Sequence, residues 1–138
     1  MLTKYASSKL TNHLLGKASF TMPTNVYLVL FTADPTTTGA FTNEVPASRG
    51  YARQAMTAVM ATATAGGYSV SGSDVTLGLC TTADWGEITH IGLADSSTLG
   101  AGNLLTYQAL AVDQKRTIKL GDTWGLPSGT FKELIGPP

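Results

Sequence analysis

His13 and His90 are the only imidazoles in this chain, and Cys80 is its only thiol. Their spacing decides what they can do. No HxH, HExxH or CxxC pattern brings two of them onto one turn or one helix face, so the sequence predicts no zinc or iron site. His90 stands between Thr89 and Ile91 in a strand pattern, which suits a hydrogen-bonded or solvent-facing ring. Cys80, between Leu79 and Thr81, reads as a small buried hydrophobe. Acid–base catalysis needs paired carboxylates held in a cleft. Asp84 and Glu87 are close in sequence but straddle a Trp-Gly corner, and Asp34, Asp95 and Asp122 occupy positions where aspartate caps a turn. A GxSxG nucleophile elbow is missing. Gly100-Ala101-Gly102 forms a GxG, but Leu105 fills the third glycine position and a strand pattern follows, so it reads as a turn. Trp85 and Trp124 could form a carbohydrate platform; beside glycine corners, tryptophans more often anchor a β core. No residue is assigned a catalytic, cofactor-binding or metal-ligating role, and no cofactor is expected.

The elements that position these residues are mostly strands. Thr3 to Leu15 is the one helix pattern: Ala6, Leu10 and Leu14 share a face, Thr3 can cap the start and Gly16 the end. Its narrow apolar stripe predicts packing on a sheet. Asn25 to Thr32 is apolar on both faces and reads as a central strand, ended by Asp34-Pro35. Thr36 to Gly50 reads as a long loop, and Tyr51 to Val59 as a strand with alternating exposure, although its alanines and methionines also suit a helix. Further strand patterns cover Tyr68–Ser71, Val75–Leu79, Ile88–Ala94, Leu104–Val112 and Thr117–Leu120. Trp124, Leu126, Phe131, Leu134 and Ile135 supply the last ones. Short strands with turn signals every ~8–12 residues, and no helices between them, predict a mainly β fold. The expected class is an antiparallel β-sandwich or jelly roll with a short N-terminal helix.

Bulk properties narrow the function. The 138 residues match one domain, divided as a helix or arm over 1–19, a β-sandwich over 20–135 and a tail over 136–138. Charged residues are 13% of the chain, against roughly 25% in a typical soluble domain, and nine basic residues cancel nine acidic ones. Nucleic acid is not an expected partner, because phosphate neutralisation needs clustered Lys and Arg and only Lys115-Arg116 stand together. The longest apolar run, Val26–Phe31, is too short to span a bilayer, and no export signal is visible, so no membrane association is expected. So neutral a surface predicts a protein covered by partners or solvated by uncharged Thr, Ser and Gly.

Several blocks in order carry a family resemblance. They are Asn12-His13-Leu14-Leu15-Gly16, Met22-Pro23, Val26 to Pro35, Gly50 to Ala55, Ala83 to Gly92 and Gly102-Asn103-Leu104-Leu105. Together the chain resembles small virion structural proteins of tailed bacteriophages. Some of these are labelled tail-fibre proteins, and others look like capsid cement (decoration) proteins with a jelly-roll fold. The resemblance spans Leu10 to Asp122 and implies a virion subunit without catalysis, made in the host bacterial cytoplasm. As a cement protein it would sit on the capsid exterior, bind the phage major capsid protein across capsomer junctions, and form a homodimer or homotrimer. The alternative is a tail, baseplate or fibre protein, which could be receptor-binding. The lack of a coiled-coil pattern or repeats tilts the sequence reading to the capsid. A sugar-binding module or hydrolase built on Trp85 and Trp124 is a third, less supported reading. Expected contact segments are the Met1–Lys9 arm, the Thr36–Gly50 loop and the Phe131–Pro138 tail. An ion pair between Arg53 and Asp84 is also expected.

Overall fold

A computed structural model describes residues 1–134. Helix α1 spans Lys4–Leu14, and its ends follow from two residues. The Thr3 hydroxyl accepts a hydrogen bond from the Ala6 N–H, filling one of the donors a helix start leaves open. Gly16 then takes a left-handed conformation (φ +67°), and its N–H returns to the His13 carbonyl.

Ten strands follow. They are β1 (Tyr27–Phe31), β2 (Gln54–Ala55), β3 (Tyr68–Val70), β4 (Val75–Leu77), β5 (Gly86–Ile88), β6 (His90–Ala94), β7 (Leu104–Ala109), β8 (Arg116–Ile118), β9 (Trp124–Leu126) and β10 (Lys132–Leu134). One sheet has the order β2-β1-β6-β7, and three two-stranded ribbons pair β3 with β10, β4 with β9, and β5 with β8. Every pairing is antiparallel. The mainly β class with one short N-terminal helix is thus as the sequence predicts.

Alternation along the central strand sorts the core into two layers. Leu28 faces the same side as Leu93, and Leu30 the same side as Ile91, as their register requires. They meet Val75, Leu77, Ile88, Ile118, Trp124 and Phe131, all supplied by the ribbons or their flanks. Val29 and Phe31 point the other way, into a smaller cluster with Ala94, Leu104 and Tyr107. Phe41 closes that second face, its ring stacked 6.3 Å from Phe31. A strand buried on both faces needs apolar residues at every position, and the Leu-Val-Leu-Phe run of β1 has them.

Three sequence expectations differ from this arrangement. Ile88–Ala94 is two strands, because Thr89 marks a change of partners: β5 pairs with β8, while β6 pairs with β1 and β7. Within Tyr51–Val59 only Gln54–Ala55 pairs as a strand, since Arg53 turns inward and the Met56 N–H bonds the Val26 carbonyl at 2.8 Å. The apolar face of α1 is shorter than its pattern implies. Ala6 is buried, yet Leu14 is 84% exposed, because only the first turns of the helix meet β7. Ile135 and the 136–138 tail lie outside the described residues.

Strand β10 carries a half-buried carboxyl. Glu133 accepts a hydrogen bond from the Thr106 hydroxyl (3.0 Å), and burial raises its pKa above the usual glutamate value, a rise the Thr106 bond partly offsets. A carboxyl that holds its proton more tightly when folded contributes stability below its unfolded pKa. That contribution is lost as pH rises through the folded pKa. Acidification through the carboxylate range is therefore expected to raise stability by relieving the desolvation of the carboxylate, and Glu133→Gln should remove its share of the pH dependence. Thermal melts of both proteins between pH 4 and 7 check this. If the two melting curves shift with pH in parallel, Glu133 is not the group responsible.

Candidate functional site

The Gly50-Tyr51-Ala52-Arg53 and Asp84-Trp85-Gly86 blocks, far apart in sequence, meet in space. The Trp85 indole N–H donates to the Arg49 carbonyl at 2.8 Å, and its ring meets Tyr51 edge-on at 5.6 Å. The Tyr51 hydroxyl accepts from the Leu30 backbone N–H (3.0 Å), giving a central-strand donor a partner where β2 is too short to supply one. Burial holds the Tyr51 phenol protonated well beyond its ordinary range.

Arg53 is the most constrained side chain here. Its Nε and Nη2 donate to the two Glu44 carboxylate oxygens at 2.7 and 2.8 Å, a bidentate pair. Nη1 donates to the Ser96 and Ala101 carbonyls, and the guanidinium lies 4.4 Å from the Phe41 ring centroid. Glu44 also accepts from the Gly100 N–H at 2.9 Å. The Gly100-Ala101-Gly102 turn is thereby tied onto a buried ion pair and cradles no phosphate. The expected Arg53–Asp84 pair is not formed. Glu44 bridges to Phe31 at the sheet edge, which brings its carboxylate under the loop within reach of Arg53. Asp84 instead receives Arg49 Nη1 on its backbone oxygen (2.6 Å) and the Leu120 N–H on its carboxylate (2.8 Å).

The other side chains that could do chemistry are occupied locally. Asp34 caps the Thr36 N–H, Asp95 takes both the backbone and side-chain N–H of Asn103, and Asp122 takes the Lys119 N–H. Cys80 is buried, with its Sγ 3.2 Å from the Ala83 carbonyl. His90 Nδ1 shares a hydrogen bond with the Thr89 hydroxyl (2.9 Å), and His13 Nδ1 accepts from the Phe20 N–H (3.1 Å). Trp85 and Trp124 are buried in the core, so neither offers a face to a sugar. Among the described residues no group of three His, Cys, Asp or Glu side chains is placed to hold a metal ion. Nor, among those residues, is any helix long and apolar enough to cross a membrane.

The segments expected to make contacts pack in large part against the chain itself. The Met1–Lys9 arm is used internally. Leu2 pairs with Thr106, the Thr3 N–H donates to the Leu105 carbonyl (3.0 Å), and the Thr3 hydroxyl donates to that of Leu104 (2.6 Å). This covers the outer edge of β7, which would otherwise template strand addition. The Thr36–Gly50 loop closes the second core layer through Phe41 and buries Val45. Of the Phe131–Pro138 tail, Phe131 is core and Lys132–Leu134 is β10; the remainder lies outside the described residues.

The stretch from Leu14 to Asn25 is instead mostly exposed, with Phe20 and Pro23 half-buried. Leu14 and Met22 are each 84% exposed and Leu15 is 65% exposed. Its hydrogen bonds are local: the Lys17 and Ala18 N–H groups return to the Asn12 carbonyl, and Phe20 returns to His13. Three large apolar side chains thus lie in water within one segment. The sequence did carry a signal for it, since Lys17 is the only charge between Leu10 and Asn25. Helical periodicity assigned Leu14 to the core and hid it.

The model of one protein family, described as Podophage GP4 fiber I protein gp80, matches residues 1–132. No curated protein matches the chain.

Proposed function

Since the chain belongs to the Podophage GP4 fiber I protein gp80 family of phage virion structural proteins, we propose that it is a subunit of a phage fibre. It self-associates and docks in the virion through the exposed Leu14–Asn25 segment. The family match over nearly the whole chain carries this reading. The capsid-exterior alternative rests on the lack of a coiled-coil pattern, and an absence weighs less than a match. Leu14, Leu15 and Met22 give the reading a surface, because apolar groups this exposed are stabilised when a partner covers them, at about 25 cal/mol per Å² removed from water. The near-zero net charge fits copies held side by side, where like charge would oppose assembly.

The test is location. Gold-labelled antibody against the chain, viewed on whole virions by electron microscopy, is expected at the fibres. Even decoration of the head would overturn the fibre reading and restore the cement protein bound to the major capsid protein.

A further inference from the structure

We propose that the Met1–Leu14 element is exchanged between copies, so that residues 1–3 and helix α1 of one chain occupy the β7 edge of a neighbour. This rests on the self-association proposed above and names the joint. Three observations carry it.

First, the hydrogen bonds that attach the element all come from its first four residues. Leu2 pairs with Thr106, Thr3 bonds Leu104 and Leu105, and the Lys4 N–H bonds the Thr37 carbonyl at 2.8 Å. Of the helix itself only Ala6 is buried. Each of these contacts would re-form unchanged between two copies, so exchange gives up only the local bonds by which residues 15–20 return to the end of the helix.

Second, the connection to β1 can open. Among the described residues, 15–25 make no hydrogen bond to the sheet or the ribbons; their bonds close within Thr11–Phe20. Eleven extended residues reach roughly 36–40 Å. A domain of this length has a radius of gyration of about 14 Å, so the reach is comparable to its full width.

Third, the same connection carries the apolar side chains that nothing covers within one copy. Where two chains cross over, their connecting segments run side by side. Leu14, Leu15 and Met22 of one copy then lie against those of the other, and Lys17 is the only charge between Leu10 and Asn25 to be kept at the margin. A closed single copy leaves these groups in water; the exchanged form gives each a partner.

The Leu2–Thr106 pair supplies the test. It lies between the hydrogen-bonded pairs Met1–Tyr107 and Thr3–Leu105, the position in an antiparallel ladder where side chains come closest. Full-length Leu2→Cys and Thr106→Cys chains are mixed, unfolded and refolded together under reductant, then oxidised once folded. Cys80 is buried and stays out of the reaction. The expected result is a disulfide joining the two substituted positions across chains in the oligomer fraction, with dimer mass on a non-reducing gel and single-chain mass after reduction. If the oligomer forms without that mixed disulfide, while a chain carrying both substitutions closes the bond within itself, exchange is wrong and self-association stands. A chain that light scattering finds monomeric at every concentration overturns both. Should Thr106→Cys fold poorly for want of its bond to Glu133, the Lys4→Cys and Thr37→Cys pair reads the same exchange at the helix start.

Discussion

Replacing Arg53 with methionine is expected to destabilise the protein by about 3–5 kcal/mol, because it leaves the Glu44 carboxylate buried without its cation. The expectation follows from how completely the two groups have left water: the guanidinium side chain is fully buried and the carboxylate side chain 4% exposed. The same change frees the Ser96 and Ala101 carbonyls and removes the cation from the face of Phe41, so three segments lose their common anchor. For a domain this size the loss should lower the melting temperature by about 10 °C or more. Glu44→Met alone should cost a similar amount, since it strands the arginine. Together the two substitutions should recover most of the loss, because an uncharged, well-packed pair of similar volume carries no desolvation penalty. Melting curves of the two single variants and the double variant form the cycle. If the single losses simply add in the double variant, the ion pair is not the interaction that matters.

A single methyl group at Gly50 is expected to cost about 2–5 kcal/mol, a sum of backbone strain and overlap. Gly50 has φ +81°, and a Cβ there would lie 2.5 Å from both the Leu79 carbonyl oxygen and the Thr81 hydroxyl. The carbonyl is backbone and cannot step aside. The corner also sets the Arg49 carbonyl that holds Trp85 and leads into Tyr51, so strain there reaches the core. Gly121 is the control. Its φ is +89° with nothing within 4 Å of where a methyl would stand, so Gly121→Ala should cost only the conformational share, about 1–2 kcal/mol. Urea titrations report both as a lowered midpoint at unchanged slope. Equal midpoints for Gly50→Ala and Gly121→Ala would show that the close approach at Gly50 relaxes freely.

Local signals made some of this legible. Thr3 and Gly16 bound the helix to within a residue of its ends, because caps are satisfied by neighbours in sequence. Strand β1 was legible because burial on both faces leaves no room for polar residues. Partner choice was not. The break at Thr89 depends on which strands flank it, and nothing in the Ile88–Ala94 pattern records that. Arg53 illustrates the same limit: Asp84 and Glu44 are equally acidic in sequence, and only the fold buries one of them beside the guanidinium. The exposed segment escaped the pattern for a related reason. The periodicity of Ala6, Leu10 and Leu14 describes a face, but how far β7 extends along that face is set elsewhere in the chain.

The capping of β7 also has a consequence in time. Thr3 leaves the ribosome 101 residues ahead of its partner Leu104. At bacterial synthesis rates the N-terminal element therefore waits roughly 5–20 s before its own strand exists. During that interval, on a message carrying several ribosomes, a finished β7 edge from the chain ahead is already within reach. Which edge the element first meets is then decided by the spacing of ribosomes as much as by the stability of the folded state.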